Sequence, residues 1–366
     1  MLDRLLRKFR RRQPTILCES VSPCSPIVAF VEADDRVIYF YLQAKDGMRF
    51  GPKACWVANL VPAPQDVERD AMAEGVPPLQ PAKHCGHPQG RSVPRSKDLS
   101  VVWLAEGNAA ALKEKGEIVA IIPGWSGINN FSGYARDAIG TGPFAAQLHN
   151  DMNIYERVAE SAEFWESWNK SDPFAFCQSR QMRVYESTFG PCTQYYAIDN
   201  HQFPTRGLYT RNDSDGFVAA TVGMSLLPMP VAEMYADNSA EIHRVELGLM
   251  LDRPVDAQTL QHICNSLSGH AAMPWQQISW WGQGHTANFT FKSSSPLDNV
   301  VLTSHLTVFP PVPIGPSYGD KVNFLWMVPI SDMERLAFHT AGDGTLIDRL
   351  QEIGDAALSL DREVLG

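Results

Sequence analysis

The stretch that most constrains the fold is "VNFLWMVPISDMERLAF", running from Val322 to Phe338. Its first seven residues, Val322–Val328, are apolar almost throughout, the pattern of a central strand buried on both faces. Pro329 follows, and because it has no N–H for a ladder the strand is expected to end there. Ser331 and Glu334 then stand at capping-box spacing, which predicts a helix beginning beside them. A buried strand that feeds a covering helix, with no nucleophile, metal ligand or phosphate loop between, is scaffold. Function is therefore expected on exposed edges and loops.

A chain of 366 residues is too long for one ordinary core, and two domains are expected. Its composition predicts a basic segment 1–15, a smaller α+β domain 16–150 and a C-terminal domain 151–366. After Pro14, "PIVAFVE" and "RVIYFYLQ" flank Ala33-Asp34-Asp35 as a hairpin, and "ACWVANLVP" is a third apolar run. From Pro62 to Pro94 the composition is that of a long surface segment. "LSVVWLAEG" and "EIVAIIPGW" read as strands on either side of a helix-prone "NAAALKEKG". A helix with Tyr155, Val158, Ala159, Ala162, Trp165 and Trp168 on its docking face opens the second half, closed by Pro173. Seven strands are then predicted: "QMRVYEST", "QYYAID", "GFVAATVGM", "HRVELGLML", "QQISWW", "NVVLTSHL" and "VNFLWMV". Between them a helix starts at Asp256, carries Ala257, Leu260, Ile263, Cys264 and Leu267 on one stripe, and stops near Gly269. The fold class is α+β, a mainly antiparallel twisted sheet covered by helices.

Charge narrows the partners. Six basic residues against Asp3 make the first twelve residues +5, so with −10 overall the remainder is −15. An acidic body disfavours nucleic acid and favours a basic protein partner. The N-terminal segment, with Leu2, Leu5, Leu6 and Phe9 at helical spacing, suits a solvated end or weak contact with a membrane surface. No apolar run reaches the roughly eighteen residues of a transmembrane segment, and the start lacks a signal-peptide core. Seven scattered cysteines, an odd number, do not read as a disulfide framework. A cytoplasmic protein with reduced thiols is expected.

Four groupings carry residues suited to chemistry. "HCGH" brings His84, Cys85 and His87 together, with Cys18 and Cys24 far upstream, but lacks the paired short spacings of zinc sites. "GWSG" around Ser126 has Ile128 where a nucleophile elbow needs its last glycine, so it reads as a turn that lets Trp125 pack. Arg244 and Glu246 fall on the same face of a strand and are expected to form an ion pair. "SWWGQGH" places Trp280 and Trp281 beside a Gly-rich turn with His285, the pattern of aromatic anchors at a core or an interface. No cofactor is called for. Trp280, Trp281 and His285 are the partner-binding candidates, while an enzyme or metal-binding protein using the N-terminal half is the alternative.

The order of segments in the second half resembles the suppressor of fused family. The likeness rests on "TVGMSLL", "IHRVELGLML", the helix from Asp256, "WQQISWWGQGH", "SPLDNVVLT" and "VNFLWMVPISDMERLAFHTAGDGTLIDRL", over residues 181–353. Glu246-Leu247, Ser295-Pro296-Leu297-Asp298 and Val328-Pro329-Ile330 to Glu334 stand at the family's positions. The resemblance implies binding rather than catalysis. Eukaryotic relatives sequester Gli-type zinc-finger transcription factors with the help of a second, peptide-clamping domain, which is not expected here because the likeness runs almost to the last residue. Leu227-Pro228 stands where those relatives carry a partner-contacting tyrosine. Bacterial-type members are proposed to be immunity proteins that neutralise toxins, and a single domain joined to an unrelated N-terminal one is similar to that group.

Overall fold

The apolar run at 322–328 becomes strand β16, Asn323–Ile330, an inner strand of a seven-stranded sheet in the computed structural model. The structure describes residues 14–45, 50–149, 152–292, 295–341 and 345–365, and the expectations for the first thirteen residues of the basic segment 1–15 lie outside them. The sheet is built from β10 (Gln194–Ala197), β11 (Gly207–Asp213), β12 (Gly216–Val222), β13 (Val245–Leu251), β14 (Thr286–Asn288), β15 (Asn299–Thr303) and β16. Their order is β10-β11-β12-β13-β16-β15-β14, antiparallel except where β16 runs parallel to β13. Phe324, Trp326, Val328 and Ile330 point into one core, and the alternate Leu325 and Met327 are buried as well, so both faces of the strand are covered.

The strand does not stop before Pro329 as its chemistry suggested. Pro329 sits opposite Val300 of β15, whereas pairing with β13 has already ended at Trp326. With a ladder on one side only, the missing N–H is tolerated. The helix after it, Asp332–Ala341, begins with the expected reciprocal cap: Ser331 N–H donates to Glu334 Oε2 (2.7 Å) and Glu334 N–H to Ser331 Oγ (3.2 Å). Ser331→Ala removes one of these bonds and is expected to lower stability by about 1 kcal/mol. The denaturant midpoint reads this directly, and an unchanged midpoint would contradict the cap.

Numbered in chain order, the helices are α1 (Arg69–Ala73), α2 (Asn153–Lys170), α3 (Pro173–Phe189), α4 (Ala257–Gln277), α5 (Asp332–Ala341) and α6 (Thr345–Ile353). Three of them correct the sequence reading. "QMRVYEST" lies in α3, not in a strand: Asp172 caps it by accepting from Phe174 and Ala175 N–H, and Cys177, Gln181, Tyr185 and Phe189 form its buried stripe at every fourth position. α4 continues through Gly269 to Gln277 and absorbs part of the predicted strand "QQISWW". α2 buries Ile154, Val158, Ser161 and Phe164, a face rotated from the predicted one because the polar Ser161 belongs to it.

Contacts divide the chain into two compact units, Met1–Ser167 and Trp168–Gly366. The first holds the antiparallel sheet β1 (Thr15–Val21), β2 (Ile27–Ala33), β3 (Val37–Ala44), β4 (Lys53–Asn59). Its second sheet is β5 (Leu99–Trp103), β6 (Ala110–Glu114), β7 (Glu117–Ile122), β8 (Tyr134–Ala135), β9 (Ala146–Gln147). The β2–β3 turn is held by Asp34 Oδ1, which accepts from Arg36 and Val37 N–H at 2.7 Å each. The helix-prone "NAAALKEKG" is β6 instead. Lys115 and Gly116 both adopt positive φ and close a two-residue hairpin, which overrides the helical propensity of Ala, Leu, Lys and Glu. The proline-rich segment 62–94 is not all surface either, since Val76, Leu79 and Gln80 are buried.

Candidate functional site

The C-terminal unit rests on a buried polar hub that prepares an exposed loop. Glu246 of β13 is fully buried. One carboxylate oxygen accepts from Ser225 N–H (2.8 Å), Ser225 Oγ (2.7 Å) and Gln181 Nε2 (2.8 Å); the other accepts from Thr221 Oγ1 (2.6 Å). Burial raises its pKa, and these donors work against that rise. The expected Arg244–Glu246 ion pair does not form. Arg244 instead donates from Nε to Asp320 (2.8 Å) and from Nη1 to the Ser225 and Leu226 carbonyls (3.1 and 2.8 Å). Burial opposes the ionised form of Asp320, but His243 and Arg244 beside it hold its pKa below the ordinary value. Glu246 directly, and Asp320 through Arg244, thus hold Ser225-Leu226 after β12.

That fixed segment leads to Pro228 and Met229, which meet the end of α4 and the turn after it. Trp275 Nε1 donates to the Pro228 carbonyl (3.1 Å), and Trp281 N–H donates to Met229 Sδ (3.2 Å). Trp281 is buried, with Nε1 on the His270 carbonyl (2.9 Å). Trp280 is only partly buried. It stacks on Tyr235 at 5.0 Å between centroids and 25° between planes, and meets His285 edge-on at 4.7 Å. Gly282 makes this possible: a Cβ there would come within 2.6 Å of the Trp280 ring. Tyr235 is 64% exposed, so the stack forms a ledge open to solvent.

His285 supports the ledge. Its Nδ1 accepts Gly282 N–H (3.3 Å), and burial pushes its pKa down, which favours the neutral ring. The backbone on both sides is held in an unusual conformation. Val231 and Ile278, both β-branched, have φ of 56° and 53°, a left-handed region such residues rarely occupy. Adjacent Trp280 and Trp281 thus differ, the first partly open to solvent and the second buried. Tyr235 was not named from sequence, because only the tertiary fold brings its loop to Trp280.

The N-terminal groupings do not converge. His84 Nδ1 lies 3.1 Å from the Ile139 carbonyl, Cys85 is buried beside Asn59, and the exposed His87 faces Asp137 at 3.8 Å. Burial raises the pKa of the Cys85 thiol. Ser126 Oγ donates to the Ser132 carbonyl (2.7 Å) within a turn whose Gly127 has positive φ. Among the described residues no three His, Cys, Asp or Glu side chains gather as metal ligands. All seven cysteines are free thiols, and no described helix is long and apolar enough to cross a membrane.

Comparison with known proteins bears on the C-terminal unit. The family model described as suppressor of fused protein (SUFU) matches residues 198–363. A solved structure titled "the Sufu-Fu complex crystal structure" is similar at 15% identity, covering 52% of this chain and 91% of that one, with a TM-score of 0.35. No curated protein matches.

Proposed function

We propose that this chain, whose residues 198–363 form a suppressor of fused domain, is a non-catalytic module that masks a partner protein. The observation that carries the reading is the Tyr235–Trp280–His285 ledge. Large rings held rigid before binding lose little conformational entropy when a partner covers them, and such residues dominate binding energy at protein interfaces. Under the ledge the buried Trp281 meets His285 edge-on at 6.3 Å, so a partner finds it already shaped. The net charge of −10 favours a basic partner, such as a toxin neutralised in the cell that makes it. Steering by that charge predicts an association rate that falls as salt rises.

Trp280→Ala tests the assignment. Its ring lies on the surface side, so the melting midpoint is expected to stay within a few degrees of wild type. Capture of the partner is expected to weaken about 30-fold, the effect of removing a 2 kcal/mol anchor. Tyr235→Ala should act in the same direction. Unchanged capture by both variants would remove the ledge from the interface. Collapse of melting in both would make the rings core residues.

A further inference from the structure

A second feature of the C-terminal unit, independent of the ledge, is an arginine left without a partner. Arg206 precedes β11 and is 4% exposed, yet its guanidinium makes no hydrogen bond or ion pair among the described residues, and Nε is sealed from solvent with nothing to donate to. Buried guanidinium groups are ordinarily paired, so an orphan of this kind calls for an explanation. Arg206 borders a cleft of about 260 Å³ between residues 198–202 and α4. Burial lowers its pKa, and the nearby Asp199 acts against this without making an ion pair, its own Oδ1 accepting His201 N–H (3.0 Å).

The cleft is built rather than incidental. Ser268 Oγ donates to the Ile198 carbonyl (2.7 Å), which ties α4 to the facing segment. Gly269 forms part of the α4 wall, and a Cβ built there meets no atom within 4 Å. A glycine inside a helix costs about 1 kcal/mol relative to alanine, and here it leaves the cleft open. Asn200, Gln202, Asn265 and Gln276 add amide donors and acceptors.

The chemistry of the walls selects a ligand. A guanidinium fork matches a carboxylate with two parallel hydrogen bonds. Asp199 disfavours a dianion and offers an acceptor to a ligand N–H. We infer that the cleft binds a monocarboxylate carrying an N–H on the neighbouring carbon, the group shared by a free α-amino acid and the C-terminal residue of a peptide.

The test is calorimetric titration of the full chain with N-acetylglycine, glycine, N-acetylglycinamide and inorganic phosphate. N-acetylglycine is expected to bind, standing for a peptide end; glycine binding tighter would identify a free amino acid as the source. N-acetylglycinamide, which lacks the carboxylate, is expected to bind at least tenfold more weakly. Arg206→Lys keeps the charge but loses the fork and should lower affinity at least tenfold. Gly269→Leu fills the cleft from a position with free space, and should abolish binding while the melting midpoint is kept. The inference is overturned if neither carboxylate binds at millimolar concentration, if the amide or phosphate binds as well as the carboxylates, or if Gly269→Leu folds and still binds.

Discussion

Glu246→Ala is expected to destabilise the C-terminal unit by about 3–5 kcal/mol, because it leaves Ser225 N–H buried without an acceptor, strands the Thr221 and Ser225 hydroxyls at roughly 1–3 kcal/mol for each lost partner, and leaves Gln181 Nε2 with Ser225 Oγ alone (3.1 Å). The bonds it removes join α3, β12, β13 and the segment leading to the ledge, so the loss should be cooperative. Glu246→Gln keeps one acceptor and should lose less. A pH series separates charge from shape. Burial raises the folded pKa of Glu246 above its ordinary value, so the folded state holds the proton more tightly than the unfolded chain. Its contribution is therefore greatest below the ordinary carboxylate range and diminishes as pH rises through the raised value, a dependence that Glu246→Gln should abolish. Urea melts at several pH values decide the matter, and equal midpoints for Glu246→Ala and wild type would show that the hub carries no stability.

The same hub explains which parts of the fold could be read from sequence. β16 and the cap at Ser331 were legible because their signals are local: a run of apolar side chains and two residues one helical turn apart. α3 was not legible as a helix because its buried stripe contains Gln181, a residue that reads as surface unless its partner Glu246 is known. Glu246 was misassigned for the same reason, since the neutral donors that satisfy it come from distant segments. β6 shows the opposite failure, where good helix formers yield to a hairpin closed by Lys115-Gly116. At the site, the tryptophans and the Gly-rich turn were visible. Their division into partly open Trp280 and buried Trp281, the arrival of Tyr235 and the isolation of Arg206 are properties of tertiary packing alone.

Glu334→Ala is the second substitution with a large expected effect, and it tests whether the capping box is more than a cap. Beyond Ser331, the Glu334 carboxylate accepts from Arg362 Nη1 (2.6 Å), Arg362 Nη2 (3.0 Å) and Leu365 N–H (2.8 Å). Both charged side chains are almost wholly buried, and Arg362 Nη2 also donates to the Pro329 carbonyl (2.9 Å). One acid therefore fastens the start of α5, the end of β16 and the segment 362–365 together. Removing it leaves a buried arginine without its counter-charge, which costs about 3–5 kcal/mol, well above the cap alone. Arg362→Met removes the cation and should cost less than Glu334→Ala where the carboxylate can be neutralised by protonation. The sign of the pH dependence follows. Burial tends to raise the Glu334 pKa, but Arg362 and the Ser331 and Leu365 amides outweigh it and hold it below the ordinary value. Its contribution is present above the ordinary carboxylate pKa of about 4.3 and is lost as pH falls through the lower folded value. In wild type, stability should decline on that acid side, and Glu334→Ala should flatten the decline while lowering the plateau at neutral pH. A variant that loses only about 1 kcal/mol at neutral pH, matching Ser331→Ala, would mean that the Arg362 pair contributes nothing beyond the helix start.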